Sequence, residues 1–413
     1  LISSTNPQDL IPNLFRDQYT KMTAVLCRHF GLEHIEIAED IVSDTFLKAS
    51  EVWALNGVPE NPEGWLYTVA KNKTKDYFKH QNIFDQKVKG AITPDINEVN
   101  LPIELDQSLI SDSQLGMIFA ISDPIIPIES QVCLALQILC GFSVEEISNA
   151  LLANKETIKK KLFRARNSLR ESNFEIKELS ISQITHRLPI VLKTLYLLFN
   201  EGYFSKSNNQ VIRKELCYEA IRLAIILTDN KTTDTPEVNA LLALMCYQSS
   251  RLDARIDMHG ELVLFEQQHT EYWNTELIDR GNYYLVKATN QQETSKYHLE
   301  AAIAYWHTTV NKNDKWNHIL DLYNQLLLVE YSPIIALNRT FAFAKVYGEK
   351  KGIIEAEKLA LINSSYYFGL LGYLYTPIDK DRAIHFYKEA LALTQSTTEK
   401  YLLNKRITEL SSK

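Results

Sequence analysis

The stretch Gly141–Arg170 reads GFSVEEISNALLANKETIKKKLFRARNSLR, and its periodicity decides how the first half of the chain is read. Val144, Ile147 and Leu151 fall at helical spacing, with Ser143 placed to cap the helix and Glu145 and Glu146 in its first turn, where the helix dipole favours acids. After a tight turn, Ile158, Leu162, Ala165 and Leu169 make the buried stripe of a second helix. Lys155, Lys159, Lys160, Lys161, Arg164, Arg166 and Arg170 are left for its outside, opposed by Glu156. A short helix, a turn and a basic second helix make a helix-turn-helix, whose apolar face holds it on the domain while cations meet phosphates and base edges. An amphipathic basic helix with a solvated face has the same pattern, so this segment alone leaves both readings open.

The remaining text has to fit that basic island. The chain has 413 residues, too many for one ordinary core, and two or three domains are expected. With 45% hydrophobic residues the composition is globular, yet the net charge is −7, an unusual balance for a nucleic-acid binder. Positive charge is concentrated instead, in the helix-turn-helix and in the run Lys71, Lys73, Lys75, Lys79, Lys87 and Lys89. This distribution suggests a protein carried to DNA by a partner. Cys27, Cys133, Cys140, Cys217 and Cys246 are scattered through apolar text without paired spacing, so free thiols in a reducing cytoplasm are expected and no metal site or cofactor. Neither a signal peptide nor an apolar run of membrane length is visible, which predicts a cytoplasmic protein with no membrane partner. The text opens on Leu1 rather than methionine, so native residues are expected before it.

Nearly every periodic segment has the helical period, and prolines fall between segments, so the fold class is all-α. Five stretches are expected: a compact unit over 8–83, a linker over 84–110 containing Gly90, Pro94 and Pro102, a small unit over 111–175 with the helix-turn-helix, a helical domain over 181–300, and helical repeats over 301–413.

In the first unit, EHIEIAEDIVSDTFLKASEVW (33–53) puts Ala38, Ile41, Val42, Thr45, Ala49 and Val52 on one helical face and Asp40, Asp44, Leu47 and Glu51 on another. A loop with Gly57, Pro59 and Pro62 follows, then GWLYTVAKNKTKDYFKH (64–80), where Leu66, Val69, Ala70 and Tyr77 face inward and Thr68, Lys71, Asn72, Lys75 and Lys79 form a polar, basic ribbon. Cations with Asn72, His80 and aromatic neighbours suit backbone phosphates and unstacked bases.

The acidic helix AEDIVSDTF, the segment PEGWLYTVAKNKTKDYFK, a linker, and then SVEEISNAL and NKETIKKKLFRAR resemble, in that order, regions 2 and 4 of the extracytoplasmic-function (ECF) class of bacterial RNA polymerase sigma factors, over residues 8 to about 172. The resemblance implies that Asp40, Asp44 and Leu47 dock on core RNA polymerase, with Phe46 a packing residue. It implies that Lys71, Asn72, Lys75, Asp76, Lys79 and His80 approach the minus-ten element of promoter DNA, and that the loop 56–61 captures an unstacked base. Thr157, Lys159, Lys160, Lys161, Arg164 and Arg166 would then lie in the minus-thirty-five major groove. For each single lysine a solvated surface role is the alternative, and Asp76 is equally suited to pair with Lys73, Lys79 or His80 within its helix.

The second half resembles, phrase after phrase, the long C-terminal extension with tetratricopeptide-like repeats carried by one subgroup of these factors; HRLPIVLKTLYLLFNEGYFS (186–205) and PEVNALLALMCYQSSRLDARID (236–257) are instances. In YYFGLLGYLYTPIDKDRAIHFYKEALALT (366–394), Phe368, Leu371, Gly372, Tyr375, Ala383, Tyr387 and Ala390 occupy the packing positions of a tetratricopeptide helix pair, and 316–345 offers a looser pair hinged at Pro333. One departure is that Ala120, Ile121, Ser122, Asp123 and Pro124 stand where the subgroup carries a cysteine–histidine cluster, which excludes thiol or metal chemistry from that place. Polar residues such as Arg251, Asp253 and His269 lack any metal-ligand spacing, phosphate loop or nucleophile elbow, so salt bridges and caps are expected of them, with a signal pocket at Arg255, Asp257, Glu266 and Trp273 as the residual reading.

The expectation is a sigma factor, not an enzyme, that takes core RNA polymerase to promoters and melts them, with a regulatory protein as partner of the extension. The alternative is a polymerase-independent helix-turn-helix regulator on a tetratricopeptide-type scaffold, which would need neither the acidic docking face nor the second basic ribbon.

Overall fold

The computed structural model describes residues 7–89, 107–151, 153–171, 174–176, 180–203, 213–255, 263, 265–289, 294–309 and 314–412. Among them all regular structure is helical, as the periodicity predicts, and no helix is long and apolar enough to cross a membrane. The chain divides into two compact units, 1–194 and 195–413, each described by itself.

The first unit begins with α1 (Pro7–Phe30), α2 (Ile35–Asn56) and α3 (Pro62–Lys89). Ala38, Ile41, Val42, Thr45 and Ala49 of α2 are buried at helical spacing, as is Phe46, which sits edge-on to Phe15 of α1. Helix α2 ends where Gly57, at φ +80°, takes a conformation that favours glycine and its N–H reaches the carbonyl of Trp53. Asn61 then caps α3, its Oδ1 accepting from the Gly64 N–H at 2.9 Å, with Pro62 at the first helical position. The sequence reading put Tyr77 on the inner face; it is exposed, and Thr74 is buried instead, its hydroxyl satisfied by the Ala70 carbonyl at 2.8 Å. Three-residue spacing from Ala70 leads to Lys73 and four-residue spacing to Thr74, so the buried stripe continues through the threonine.

Helix α3 runs past 83 to Lys89, and α4 (Gln107–Ile121) starts ahead of 111 and packs against α1. Residues 90–106, the body of the expected linker, lie outside the described residues. Next come α5 (Ile128–Leu134), continued by one wide π turn over Ala135–Leu139, then α6 (Val144–Leu151) and α7 (Lys155–Glu171). Gly141, at φ +71°, breaks the chain ahead of α6.

Helix α8 (Ile181–Tyr203) carries the division between the units. Its first half belongs to the first unit through one polar cluster. Arg187 donates to Asp123 Oδ2 at 2.8 Å and to the Phe119 carbonyl at 3.0 Å, and lies 4.4 Å from the centre of the Phe174 ring. Thr194 donates to Gln131 Oε1, while Gln131 Nε2 donates to the carbonyls of Asp123 and Ile126. Asp123 is therefore a structural anchor for α8.

The second unit holds α9 (Lys214–Asp229), α10 (Pro236–Ser249), α11 (Thr275–Ala288), α12 (Lys296–Thr308), α13 (Lys315–Val329), α14 (Pro333–Tyr347), α15 (Glu349–Leu359), α16 (Ser365–Tyr375), α17 (Lys380–Leu393) and α18 (Thr397–Ser411). Successive helices pack on one another from α9 to α18. Helix α10 is buried on every side from Val238 to Tyr247, mostly by apolar residues, with Thr235 capping it and α9, α11 and α12 against it. The segment 316–345 is the pair α13 and α14, with Pro333 at the first position of α14 and Ser332 as its cap. In the last pairs, Leu371, Gly372, Tyr375, Ala383, Tyr387 and Ala390 are buried as the sequence pattern predicts, with Phe368 at their edge. A Cβ on Gly372 would stand 2.6 Å from the Tyr387 ring, so α16 and α17 approach closely there.

The cysteines are free; Cys27, Cys133, Cys217 and Cys246 are buried and Cys140 is half-buried. Burial pushes the Cys133 thiol up to about 11 and those of Cys217 and Cys246 up to about 12, which leaves them inert as nucleophiles at neutral pH.

Candidate nucleic-acid interface

Two basic surfaces and one acidic face lie in the first unit. On α3, Thr68, Asn72, Lys75, Asp76 and Lys79 are exposed and Lys71 is half-buried, so the ribbon read from the sequence is a real face of the helix. Lys73 turns away from it toward α2 and donates to Asp44 Oδ2 at 3.1 Å. The His80 side chain lies outside the described residues. Beside the ribbon, Asn56, Gly57, Glu60 and Asn61 of the connecting loop are exposed above a T-shaped pair of Trp53 and Trp65, whose centres are 5.3 Å apart. Further along α3, Phe78 anchors the helix through its ring contacts with Phe30 and His34.

On α2, Asp40, Asp44 and Leu47 are exposed on one side of the helix. Leu47 is 59% exposed, an apolar side chain set among acids and open to a partner.

Helices α6 and α7 start and join through local hydrogen bonds. Ser143 and Glu146 cap α6 reciprocally: the Glu146 N–H donates to Ser143 Oγ at 3.2 Å and the Ser143 N–H to Glu146 Oε2 at 2.8 Å. In the turn, Ser148 donates to the Ala153 carbonyl at 2.6 Å and Asn154 Oδ1 accepts from the Glu156 N–H at 2.8 Å, which fixes the angle at which α7 leaves. Ile158, Leu162, Ala165 and Leu169 are buried. The polar residues then divide between two further faces.

Thr157, Lys160, Lys161 and Arg164, at steps of three, one and three, share the outer face and line a recess of about 370 Å³ with Glu129, which pairs with Lys161. That contact holds the Glu129 carboxyl below the usual range. Lys159 is exposed and reaches back to Glu156 at 2.8 Å, and Lys155 to Glu145 at 2.7 Å. Ion pairs this exposed contribute little and exchange readily for phosphate contacts.

Arg166 does not belong to the outer face, which corrects the sequence reading. It is 9% exposed, and its Nη1 and Nη2 each donate at 2.8 Å to a carboxylate oxygen of Glu39 on α2, while Nε and Nη2 reach Gln137 Oε1. Burial lowers the guanidinium's affinity for its proton, but the Glu39 carboxylate outweighs burial and raises it. Arg170, one turn further on, stands 3.5 Å from Glu36. The period of α7 could not assign this face, because the acids that claim it are 127 residues away in sequence.

One exposed residue had been passed over. Phe163 is 63% exposed, between Lys159, Lys160 and Arg164 on the helix surface, where an apolar ring can meet thymine methyl groups. Its position off the Ile158, Leu162, Ala165 and Leu169 stripe is readable from spacing alone.

Comparison with known proteins adds to this geometry. A family model described as sigma-70 region 2 matches residues 14–83, the segment with the acidic face and the basic ribbon. Over that segment the chain is similar to sigma factors. It is 31% identical to the ECF RNA polymerase sigma factor BldN of Streptomyces coelicolor over 135 residues, 32% of this chain and 49% of that relative. It is 28% identical over 394 residues to an uncharacterized protein of Rhizobium meliloti (strain 1021), covering 94% of this chain and 92% of the relative. A family of unknown function, DUF6596, matches residues 187–289. No solved structure matches it significantly. Sigma region 2 is the part of a sigma factor that binds core RNA polymerase and promoter DNA, and it does so without covalent chemistry of its own.

Proposed function

We propose that the chain is an ECF-type sigma factor whose two basic surfaces engage a promoter while the acidic face of α2 docks on core RNA polymerase. One observation carries the reading: the sigma-70 region 2 match falls on the helix pair that presents Asp40, Asp44 and Leu47 on one helix and the Lys71-to-Lys79 ribbon on the next. In this reading Lys71, Asn72, Lys75, Asp76, Lys79 and His80 meet the minus-ten element, and the loop over Trp53 and Trp65 receives an unstacked base. The cost of unstacking, about a few kcal/mol, is offset by the contacts with polymerase. Thr157, Lys159, Lys160, Lys161 and Arg164, with Phe163 among them, meet the minus-thirty-five element, and 111–175 serves as region 4. Arg166 supports this surface from behind.

The helices after 194 are proposed to be a regulatory extension ending in tetratricopeptide-like pairs. Helix α8 leads into it, and its Arg187 and Thr194 are held by Asp123 and Gln131 within the first unit.

The test is a fluorescence-anisotropy titration of labelled full-length chain with core RNA polymerase. Replacing Asp40 and Leu47 together by Ala should weaken binding by about tenfold or more, as expected when apolar and charged anchors of an interface are truncated. Lys159→Ala should leave it unchanged. Tight, sequence-specific DNA binding with no affinity for polymerase would establish the polymerase-independent regulator instead.

A further inference from the structure

The second unit holds a cavity of about 890 Å³, walled by α12, α13, α14 and the last helices, with Arg251, Phe265 and His307 in mutual contact in its lining. This volume is in the range of sites that enclose a whole small molecule rather than a groove that holds one side chain. Most of the wall is apolar, with Ile303, Leu326, Ile335 and Phe341 among the lining residues.

The part of the lining around Arg251 has an electrostatic imbalance. Arg251 is 8% exposed and lies 5.0 Å from the centre of the Phe265 ring. Its Nη2 donates weakly to the Tyr203 hydroxyl at 3.3 Å and its buried Nε has no acceptor among the described residues. Among the described residues no carboxylate pairs with it. The neighbouring groups give way to this charge. Burial and then the Arg251 cation pull His307 down to about 3, so the ring stays neutral, and the same two causes lower Lys315. Nδ1 of His307 and Oε1 of Gln248 and of Gln268, in the same lining, are buried without partners among the described residues. The acids of the cavity have other partners: Glu330 pairs with Lys296 at 2.9 Å, Glu300 accepts from Tyr196 at 3.2 Å, and Glu399 accepts from Ser365 at 3.0 Å.

A buried guanidinium without a counter-charge is costly, and the fork geometry of arginine matches a carboxylate with two parallel hydrogen bonds. We propose that this cavity binds a carboxylate carried on an apolar body, with Arg251 receiving the carboxylate and the aromatic and aliphatic walls receiving the body. The carboxylate belongs either to a free organic acid or to the C-terminus of an apolar peptide. The site stands independently of the transcription reading, since it rests only on the second unit.

The test uses the full-length chain in calorimetric titration with 3-phenylpropionate, indole-3-acetate and decanoate, each beside its primary amide. A peptide ending in Leu-Phe is run with a free and an amidated terminus. At least one acid or the free-terminus peptide should bind about tenfold or more tightly than its amide, the size expected of charged hydrogen bonds, and Arg251→Gln should abolish that preference. A preference confined to the peptide identifies a chain terminus as the source, and one shown by the acids identifies a small molecule. The comparison of acid with amide in the unmodified protein stands even where Arg251→Gln fails to fold. Equal binding of acids and amides, or no binding by any acid or by the free-terminus peptide, overturns the proposal.

Discussion

Arg166 shows how one side chain can change role when a distant partner is present. A cation in a run of cations reads as a DNA contact, but Glu39 takes both of its terminal nitrogens in a largely buried, bidentate pair. Removing one member of such a pair strands the other without water or counter-charge. Glu39→Ala should therefore lower unfolding stability by about 3 kcal/mol in urea denaturation. Glu156→Ala, which breaks an exposed pair on the same helix, should leave the midpoint where it is. Equal effects would mean that the buried pair is no more than a surface contact. Glu300 offers a second test at this scale. Burial, only partly offset by the Tyr196 hydroxyl, raises its carboxyl from 4.5 to about 7. Below 4.5 both folded and unfolded states keep the proton and no penalty arises. Between 4.5 and about 7 the unfolded state releases it first, so the contribution turns unfavourable as pH rises and stays so above. Glu300→Gln should thus gain stability relative to the unmodified chain as pH is raised from 5 to 8, read from denaturation midpoints. A difference constant with pH would contradict the assignment.

The helices were legible where local chemistry sets them. The stripe Ile158, Leu162, Ala165 and Leu169, the cap at Ser143 and the proline at the start of α14 all lie within one turn of what they determine. Tyr77 was misplaced because the inward stripe passes through a threonine whose hydroxyl is satisfied within its own helix, so polarity was no guide to burial. Packing within an element can be tested at α16, which carries one glycine that touches its neighbour and one that does not. A Cβ on Gly372 would press on Tyr387 at 2.6 Å, whereas one on Gly369 meets nothing within 4 Å. Gly372→Ala should destabilise the second unit by about 1–3 kcal/mol through overpacking. Gly369→Ala should stabilise it by up to about 1 kcal/mol through helix propensity. Thermal melts of the two variants separate the effects, and shifts of the same sign would contradict the close α16–α17 approach.

At the scale of the whole chain, the joints between parts were not readable. The described helices run past the expected ends of the linker on both sides. The extension's first helix begins inside the first unit, because Arg187 meets Asp123 and Thr194 meets Gln131, long-range pairs that no periodicity records. The cavity was equally hidden, since its lining is gathered from Tyr196 to Arg406. Of the residual pocket read from the sequence, Arg255 lines the cavity, Trp273 does not, and Asp257 and the Glu266 side chain lie outside the described residues. In the proposed function, the net charge of −7 fits DNA contacts that are few and local, with polymerase supplying the remaining attraction. Run-off transcription with purified core RNA polymerase on genomic fragments tests this most directly. The account predicts discrete start sites that depend on the added chain, and loss of those products by about tenfold or more when Lys160 and Arg164 are both replaced by Ala, with polymerase affinity retained. Transcription that is unchanged by adding the chain, or products that survive the double replacement undiminished, would contradict it.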